Sequence, residues 1–232
     1  KSMFRNDAKE ILFSTRVKLE NNIKKRALKT IKHKPNECIT LLKQKFFGGS
    51  KKQGISIRLP LASCEPTKLC SNLCYAHDVL DAAPPSVIRG ALNGAIAELY
   101  QENPTQFGKI ISKYWDKWIF NAIKEAHSEK EYSNFDRQSR IRFGHVGDGA
   151  AYPLFMNFIA SKVKKYSNGT VQPIIYTRHR SAKYLDSDLF VINFTLDQTS
   201  EDRYVFAPPD SRIVYSAFGG QTSEKAEINF LE

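Results

Sequence analysis

The sequence predicts an α/β protein with a mostly parallel sheet, a partial βα barrel or an open sheet, carrying an N-terminal helical extension. Two observations predict it. From residue 140 onward, short β-branched runs alternate with helical periods and turn residues, the order that right-handed crossovers convert into parallel strands. The runs also stop in reactive side chains: Cys64, Cys70 and Cys74 after the first, then Asp148, then Thr177, Arg178 and His179, then Asp197, then Ser216. Parallel sheets place their chemistry beyond the carboxyl ends of their strands. The predicted strands are too few to close an eight-stranded barrel.

In chain order, residues 1–54 read as a basic helical N-terminal extension and residues 55–232 as the α/β domain with its cysteine loop. Over 7–33, Ala8, Ile11, Leu12, Thr15, Leu19, Ile23, Ala27 and Ile31 recur at helical spacing, and the remaining faces are basic from Lys9 to Lys34. Such a face suits either a phosphate backbone or solvent. Pro35 ends that helix, and a short one follows over 36–46. Residues 48–54 are rich in glycine and charge, lack the G-x-x-x-x-G-K-[ST] spacing, and read as a loop.

A strand over 55–61 enters the cysteine segment. Residues 86–101 are an amphipathic helix, broken at Asn103-Pro104. Thr105 can cap the next helix, whose Phe107, Trp115 and Trp118 at helical spacing predict core more than a base-stacking platform. Strands are then expected over 140–146, 171–177, 189–195 and 212–217, with helices over 152–166 and 182–185.

The net charge is +11, from 35 Lys and Arg against 24 Asp and Glu. That surplus exceeds what solubility needs and points to an anionic partner, with nucleic acid the natural one. No stretch approaches the ~20 apolar residues of a membrane span, and the first residues are no secretory signal. Three of four cysteines fall within eleven residues, which argues for a metal role in a reducing, cytoplasmic setting rather than a disulfide framework.

The cysteine segment, residues 64–78, reads CEPTKLCSNLCYAHD. Three assignments are open. Cys64, Cys70 and Cys74 can hold three irons of a [4Fe–4S] cluster, with the fourth iron open to substrate or S-adenosylmethionine. The same thiols with His77 can close a structural Cys3His zinc site, for which the C-x2-H ending is good spacing. Or the thiols are reduced and unmetallated. The loop is C-x5-C-x3-C, where the usual radical S-adenosylmethionine spacing is C-x3-C-x2-C. Cys38 lies apart from the loop and is kept out of the site.

His145 and Asp148, near one strand end, are candidate acid–base residues, and strand alternation puts Arg142 on the face opposite His145. A hydrogen-bonded core imidazole is the plainer reading of His145. Arg178, His179 and Arg180 form a candidate anion clamp for phosphate or carboxylate.

Together the strand into a cysteine loop ending CYA (74–76), the helix containing Asn93, the run IRFGHVGDG (141–149) and the run IIYTRH (174–179) resemble the phage gene-88 protein family of bacteriophages and mobile elements. The resemblance spans roughly residues 55–220. The CYA ending is also similar to the last cysteine of some radical S-adenosylmethionine enzymes. The resemblance implies a phage or plasmid setting and a cysteine-held cofactor, with Tyr75 beside it. Members of the family often carry more cysteines near the carboxyl terminus; residues 221–232 have none, which argues against a second cluster.

Three functions follow as expectations. The first is an iron–sulfur enzyme, of radical type, acting on nucleic acid or nucleotides. The second is a non-catalytic nucleic-acid-binding protein with a structural zinc loop. The third is an inhibitor that sets the basic helix against an acidic host protein.

Overall fold

The computed structural model describes residues 2–33, 46–50, 54–72, 74, 76, 84–131, 139–217 and 228–231. Its α-helices are α1 (Ser2–His33), α2 (Lys68–Asn72), α3 (Pro84–Glu102), α4 (Pro104–Glu131) and α5 (Pro153–Tyr166). Its strands are β1 (Phe47–Ser50), β2 (Gly54–Ile57), β3 (Arg140–Phe143), β4 (Gln172–Thr177), β5 (Val191–Leu196), β6 (Arg212–Ala217) and β7 (Ile228–Leu231).

Among the described residues these strands form one open sheet in the order β1-β2-β3-β4-β5-β6-β7. Strands β2 to β7 are all parallel, each beside its predecessor. This is the sequential order of a barrel segment left open, and it puts all six carboxyl ends on one rim. The fold is therefore the expected α/β arrangement, with β1 added antiparallel on the outer edge of β2.

Two strands lie where none was predicted. Phe47–Ser50 reads as loop because of its glycines, yet it pairs with Gly54–Ile57 as an edge strand. The Ser56 hydroxyl donates to the Gly48 carbonyl (3.0 Å), and the Arg89 guanidinium fills the space where a Gly48 side chain would stand. Strand β7 is only four residues long. The predicted helix over 36–46 lies outside the described residues except for Phe46.

The main core lies between the sheet and helices α4 and α5. Helix α4 buries Phe107, Trp115, Ile119, Ala122 and Ala126; α5 buries Phe155, Met156, Ile159 and Val163. Phe46, Trp115 and Phe155 meet edge to face, with Phe46 and Trp115 centroids 4.8 Å apart and Trp115 and Phe155 centroids 5.3 Å apart. Phe107 and Trp115 of α4 are thus core, each side chain contributing about 1.5–3 kcal/mol by leaving water, while Phe120 is 53% exposed. Pro104 opens α4 at its first helical position, where the missing N–H costs nothing. Helix α5 ends at Gly169 (φ +75), whose N–H donates to the Lys164 carbonyl (2.9 Å).

The N-terminal residues join this architecture. Ala27 packs on Leu92 and Ala95 of α3, and Lys24 pairs with Glu98 at 2.6 Å. The face that α1 buries is the expected one at Ala27 and Ile31 but not earlier in the helix, where Leu19 is 51% exposed whereas Arg16 is 8% and Glu20 0% exposed. The apolar period fits two helix faces offset by one residue, and a buried ion pair, invisible to hydropathy, selects between them. Lys18, Lys25, Arg26 and Lys29 remain exposed. No helix among the described residues is long and apolar enough to cross a membrane.

Candidate functional site

The cysteine loop begins where β2 runs on to Pro60, and that exit is gripped from two sides. Asn93 of α3 donates through Nδ2 to the Phe46 carbonyl (3.1 Å) and the Arg58 carbonyl (2.8 Å). A side chain at Gly94 would stand 2.7 Å from the Pro60 ring, and one at Gly147 (φ +76) would stand 2.6 Å from the Pro60 carbonyl oxygen. Both glycines are needed for that close approach.

The chain then makes the 3-10 turn Leu61–Ser63. The Leu61 N–H donates to Glu20 Oε2 at 2.5 Å, and the Ser63 hydroxyl accepts from the Asp148 N–H at 2.8 Å. Thr67 starts α2: its Oγ1 accepts from the Cys70 N–H (3.0 Å) and donates to Asp197 Oδ2 (2.9 Å). Past Cys74, the Ala76 carbonyl accepts from Arg16 Nη1 at 3.0 Å.

Cys64, Cys70 and Cys74 are free thiols, each half-buried. Cys64 and Cys74 stand against Leu61, Ala76 and Val146, with Phe13 and Val17 of α1 beside them. Burial pushes the Cys64 thiol well above the ordinary thiol value, and the neighbouring charges of Asp148, Cys70, Cys74 and Glu20 push it further. Cys70 and Cys74 are thus both electrostatic neighbours of Cys64. Burial also raises Cys70, against the opposing charge of Arg178. Thiols held protonated this way ionise when a cation arrives to bind them. Among the described residues, no three His, Cys, Asp or Glu side chains are grouped closely enough to hold a single metal ion. Tyr75 and His77 lie outside the described residues.

Beyond the thiols, the strand ends form one hydrogen-bonded rim. Asp148, 5% exposed, accepts from the Ala150 N–H (3.0 Å) through Oδ1, and from Thr177 Oγ1 (2.9 Å) and the Arg178 N–H (3.3 Å) through Oδ2. Burial raises its pKa, with these donors and the His179 charge opposing. Asp197, fully buried, accepts from Arg178 Nη1 (2.5 Å), Thr67 Oγ1 (2.9 Å), the Thr199 N–H (2.9 Å) and Thr199 Oγ1 (2.7 Å). Burial alone would raise Asp197; the Thr199 bonds and the Arg178 charge outweigh it and hold its carboxyl below the usual value. Arg178 is thus fixed beside Cys70.

The other two members of the basic run turn toward the loop's own carboxylate. His179 Nε2 is 3.6 Å and Arg180 Nε 3.8 Å from Glu65, and Arg203 Nη1 donates to the Glu65 carbonyl at 2.6 Å. The carboxylate partners of Arg178, His179 and Arg180 are accordingly Asp197 and Glu65 of the chain itself.

His145 is 6% exposed, and its N–H donates to the Ile57 carbonyl (3.0 Å). Burial first, then the charges of Arg142 and Arg58, lower its pKa from 6.5 to about 4. Arg142 is therefore near His145 despite strand alternation. The strand stops at Phe143, and Gly144 (φ +87) swings the chain before His145. Arg142 itself stacks over the Tyr176 ring at 4.8 Å.

The structure thus brings Cys64, Cys70, Cys74, Asp148 and Arg178 to one rim, with His179 at its Glu65 side and His145 beneath it. Sequence reasoning missed Ser63, Glu65, Thr67, Arg203 and the Arg16–Glu20 pair. Thr67, three residues before Cys70, is the one with a readable trace, since threonine at that offset caps a helix. Comparisons with protein-family models, curated proteins and solved structures found no match.

Proposed function

We propose that the chain is an iron–sulfur protein of a phage or mobile element, acting on nucleic acid or nucleotides in a reducing cytoplasm. Cys64, Cys70 and Cys74 would hold a [4Fe–4S] cluster on the rim of the sheet. The observation that carries this reading is that one loop brings Cys64, Cys70 and Cys74, each a half-buried free thiol, to the carboxyl end of a parallel strand.

The donor set fits. Thiolates are the ligands such clusters use, and three of them leave one iron open to a substrate or to S-adenosylmethionine. A single tetrahedral ion wants its sulfurs converging on one point, whereas a cluster spreads them over different irons. When bound, the group supplies electron transfer and a Lewis-acidic iron.

The chain's own residues do the rest. Leu61, Val146, Phe13 and Val17 exclude water from the Cys64 and Cys74 side. Arg178, locked by Asp197, sets a fixed positive charge beside Cys70, where it offsets thiolate charge. Asp148, His145 and His179 are the titratable groups within reach for proton transfer, and His145 is a neutral imidazole above about pH 4. The net charge of +11 and the exposed Lys18, Lys25, Arg26 and Lys29 of α1 support a nucleic-acid partner.

Anaerobic purification with iron and sulfide analysis tests the metal. A brown protein with broad absorbance near ~400 nm is expected; a colourless protein carrying stoichiometric zinc would refute it. Binding to DNA or RNA should weaken steeply with salt, and absence of binding even at low salt would remove the nucleic-acid part.

A further inference from the structure

We infer that the N-terminal helix is a working part of the cysteine site: the buried Arg16–Glu20 pair positions the cysteine loop by holding both of its ends. As a statement about a metal site this rests on the iron–sulfur reading; as a statement about the loop it stands on contacts alone.

A long basic helix before a compact sheet reads as an appendage, yet beside Ala27 and Ile31 it buries two charged side chains. Glu20 is 0% and Arg16 8% exposed, and they pair at 3.0 Å between Nε and Oε1. Burying an ion pair carries a large desolvation cost and seldom yields net stability over an apolar pair. Here each partner keeps a bond to spare for the loop. Glu20 Oε2 takes the Leu61 N–H at 2.5 Å, three residues before Cys64. Arg16 Nη1 donates to the Ala76 carbonyl at 3.0 Å, two residues after Cys74.

The entry and the exit of the loop are therefore joined through one Arg–Glu pair, sixteen residues of chain closed by a bridge four residues long on a single helix face. The apolar neighbours repeat the pattern, since Phe13 and Val17, about one turn before Arg16 and Glu20 respectively, pack on the same Leu61, Ala76 and Val146 cluster as Cys64 and Cys74. Cys70 is held separately, by Thr67 and Asp197 from the sheet. Helix α1 thus sets the first and third thiols, and the sheet sets the second. Neither Arg16 nor Glu20 is a ligand; both are positioning residues.

The test is alkylation of the metal-free full chain by iodoacetamide under native conditions, read cysteine by cysteine by mass spectrometry, beside the iron content of the same variants purified anaerobically. Glu20→Ala should speed labelling of Cys64 and Cys74 about tenfold or more, the loss of a hydrogen bond to a charged group, and should leave Cys70 much closer to wild type. Arg16→Lys, which keeps a positive charge beside Glu20, should release Cys74 more than Cys64. Lys24→Ala removes a different ion pair of α1, with Glu98, and should change labelling by less than about twofold. Should Glu20→Ala fail to fold, Glu20→Gln replaces it; it retains an oxygen for the Leu61 N–H and loses the charge facing Arg16, so Cys74 should again react first.

Equal labelling in wild type and the Glu20 variants would overturn the inference. So would Lys24→Ala matching them, since any loosening of α1 would then suffice. A wild-type protein without iron whose Glu20 variants still expose Cys64 and Cys74 would end the iron–sulfur reading and leave the positioning role in place. Wild-type iron that survives undiminished in variants with exposed thiols would end the role of the pair in the metal site.

Discussion

Replacing Asp197 by alanine should be among the most damaging single changes on the rim, and its cost can be worked from the contacts. The carboxylate is fully buried, and the Arg178 side chain it pairs with is only 14% exposed. Alanine leaves that guanidinium without its counter-charge, and strips the acceptor from Thr67 and Thr199. Breaking a buried pair in this way costs about 3–5 kcal/mol. At about 2–4 °C per kcal/mol for a chain of this size, Tm should fall by roughly 6–20 °C. The double variant Asp197→Leu with Arg178→Met removes both charges and should lose less than Asp197→Ala alone, because no charge is stranded. Urea or thermal unfolding of the three proteins is the assay. A loss under about 1 kcal/mol in Asp197→Ala, or a double variant at least as damaged as Asp197→Ala, would refute the role given to this pair. Its acid dependence has a definite sign. Asp197 is held below its ordinary 3.8, so its stabilisation is complete above that pH and is lost as pH falls through the lowered folded value.

His145 should dominate the milder acid range. The unfolded imidazole takes its proton near 6.5 and the folded one near 4, so stability is full above pH 6.5 and falls by up to about 3 kcal/mol as pH drops toward 4; an unfolding series over that window should flatten in His145→Asn, and an unchanged slope would contradict the burial assigned to it. Two helical glycines should answer alanine with opposite signs. Gly108→Ala in α4 meets nothing within 4 Å and should gain about 0.5–1 kcal/mol from helix propensity. Gly94→Ala in α3 meets the Pro60 ring at 2.7 Å and should lose about 1–3 kcal/mol; thermal melts of the two variants check the sign.

What could be read beforehand follows the physics of each feature. The strands β4, β5 and β6 are rich in β-branched and aromatic residues and bounded by turns, and β4 buries Pro173, Ile175 and Thr177 while Tyr176 is exposed. Strand β1 has two glycines in four residues and pairs only at an edge, so its ladder comes from its neighbour rather than its composition. The cysteine loop stands out because three thiols in eleven residues are rare without a metal role. Its scaffolding does not. Glu20 and Leu61 are 41 positions apart, and Thr67 and Asp197 are 130 apart; local pattern carries no trace of such pairings. Arg178, His179 and Arg180 look alike as a basic run, yet Asp197 claims the first and Glu65 the other two.

The proposal that Cys64, Cys70 and Cys74 hold a single cofactor is tested most directly by iron and sulfide content in four single variants purified anaerobically. Cys64→Ala, Cys70→Ala and Cys74→Ala should each lose most of the iron and sulfide together, while Cys38→Ala keeps the wild-type amount. Iron that survives the loss of any one of the three, or that disappears with Cys38, would contradict a centre held by this loop.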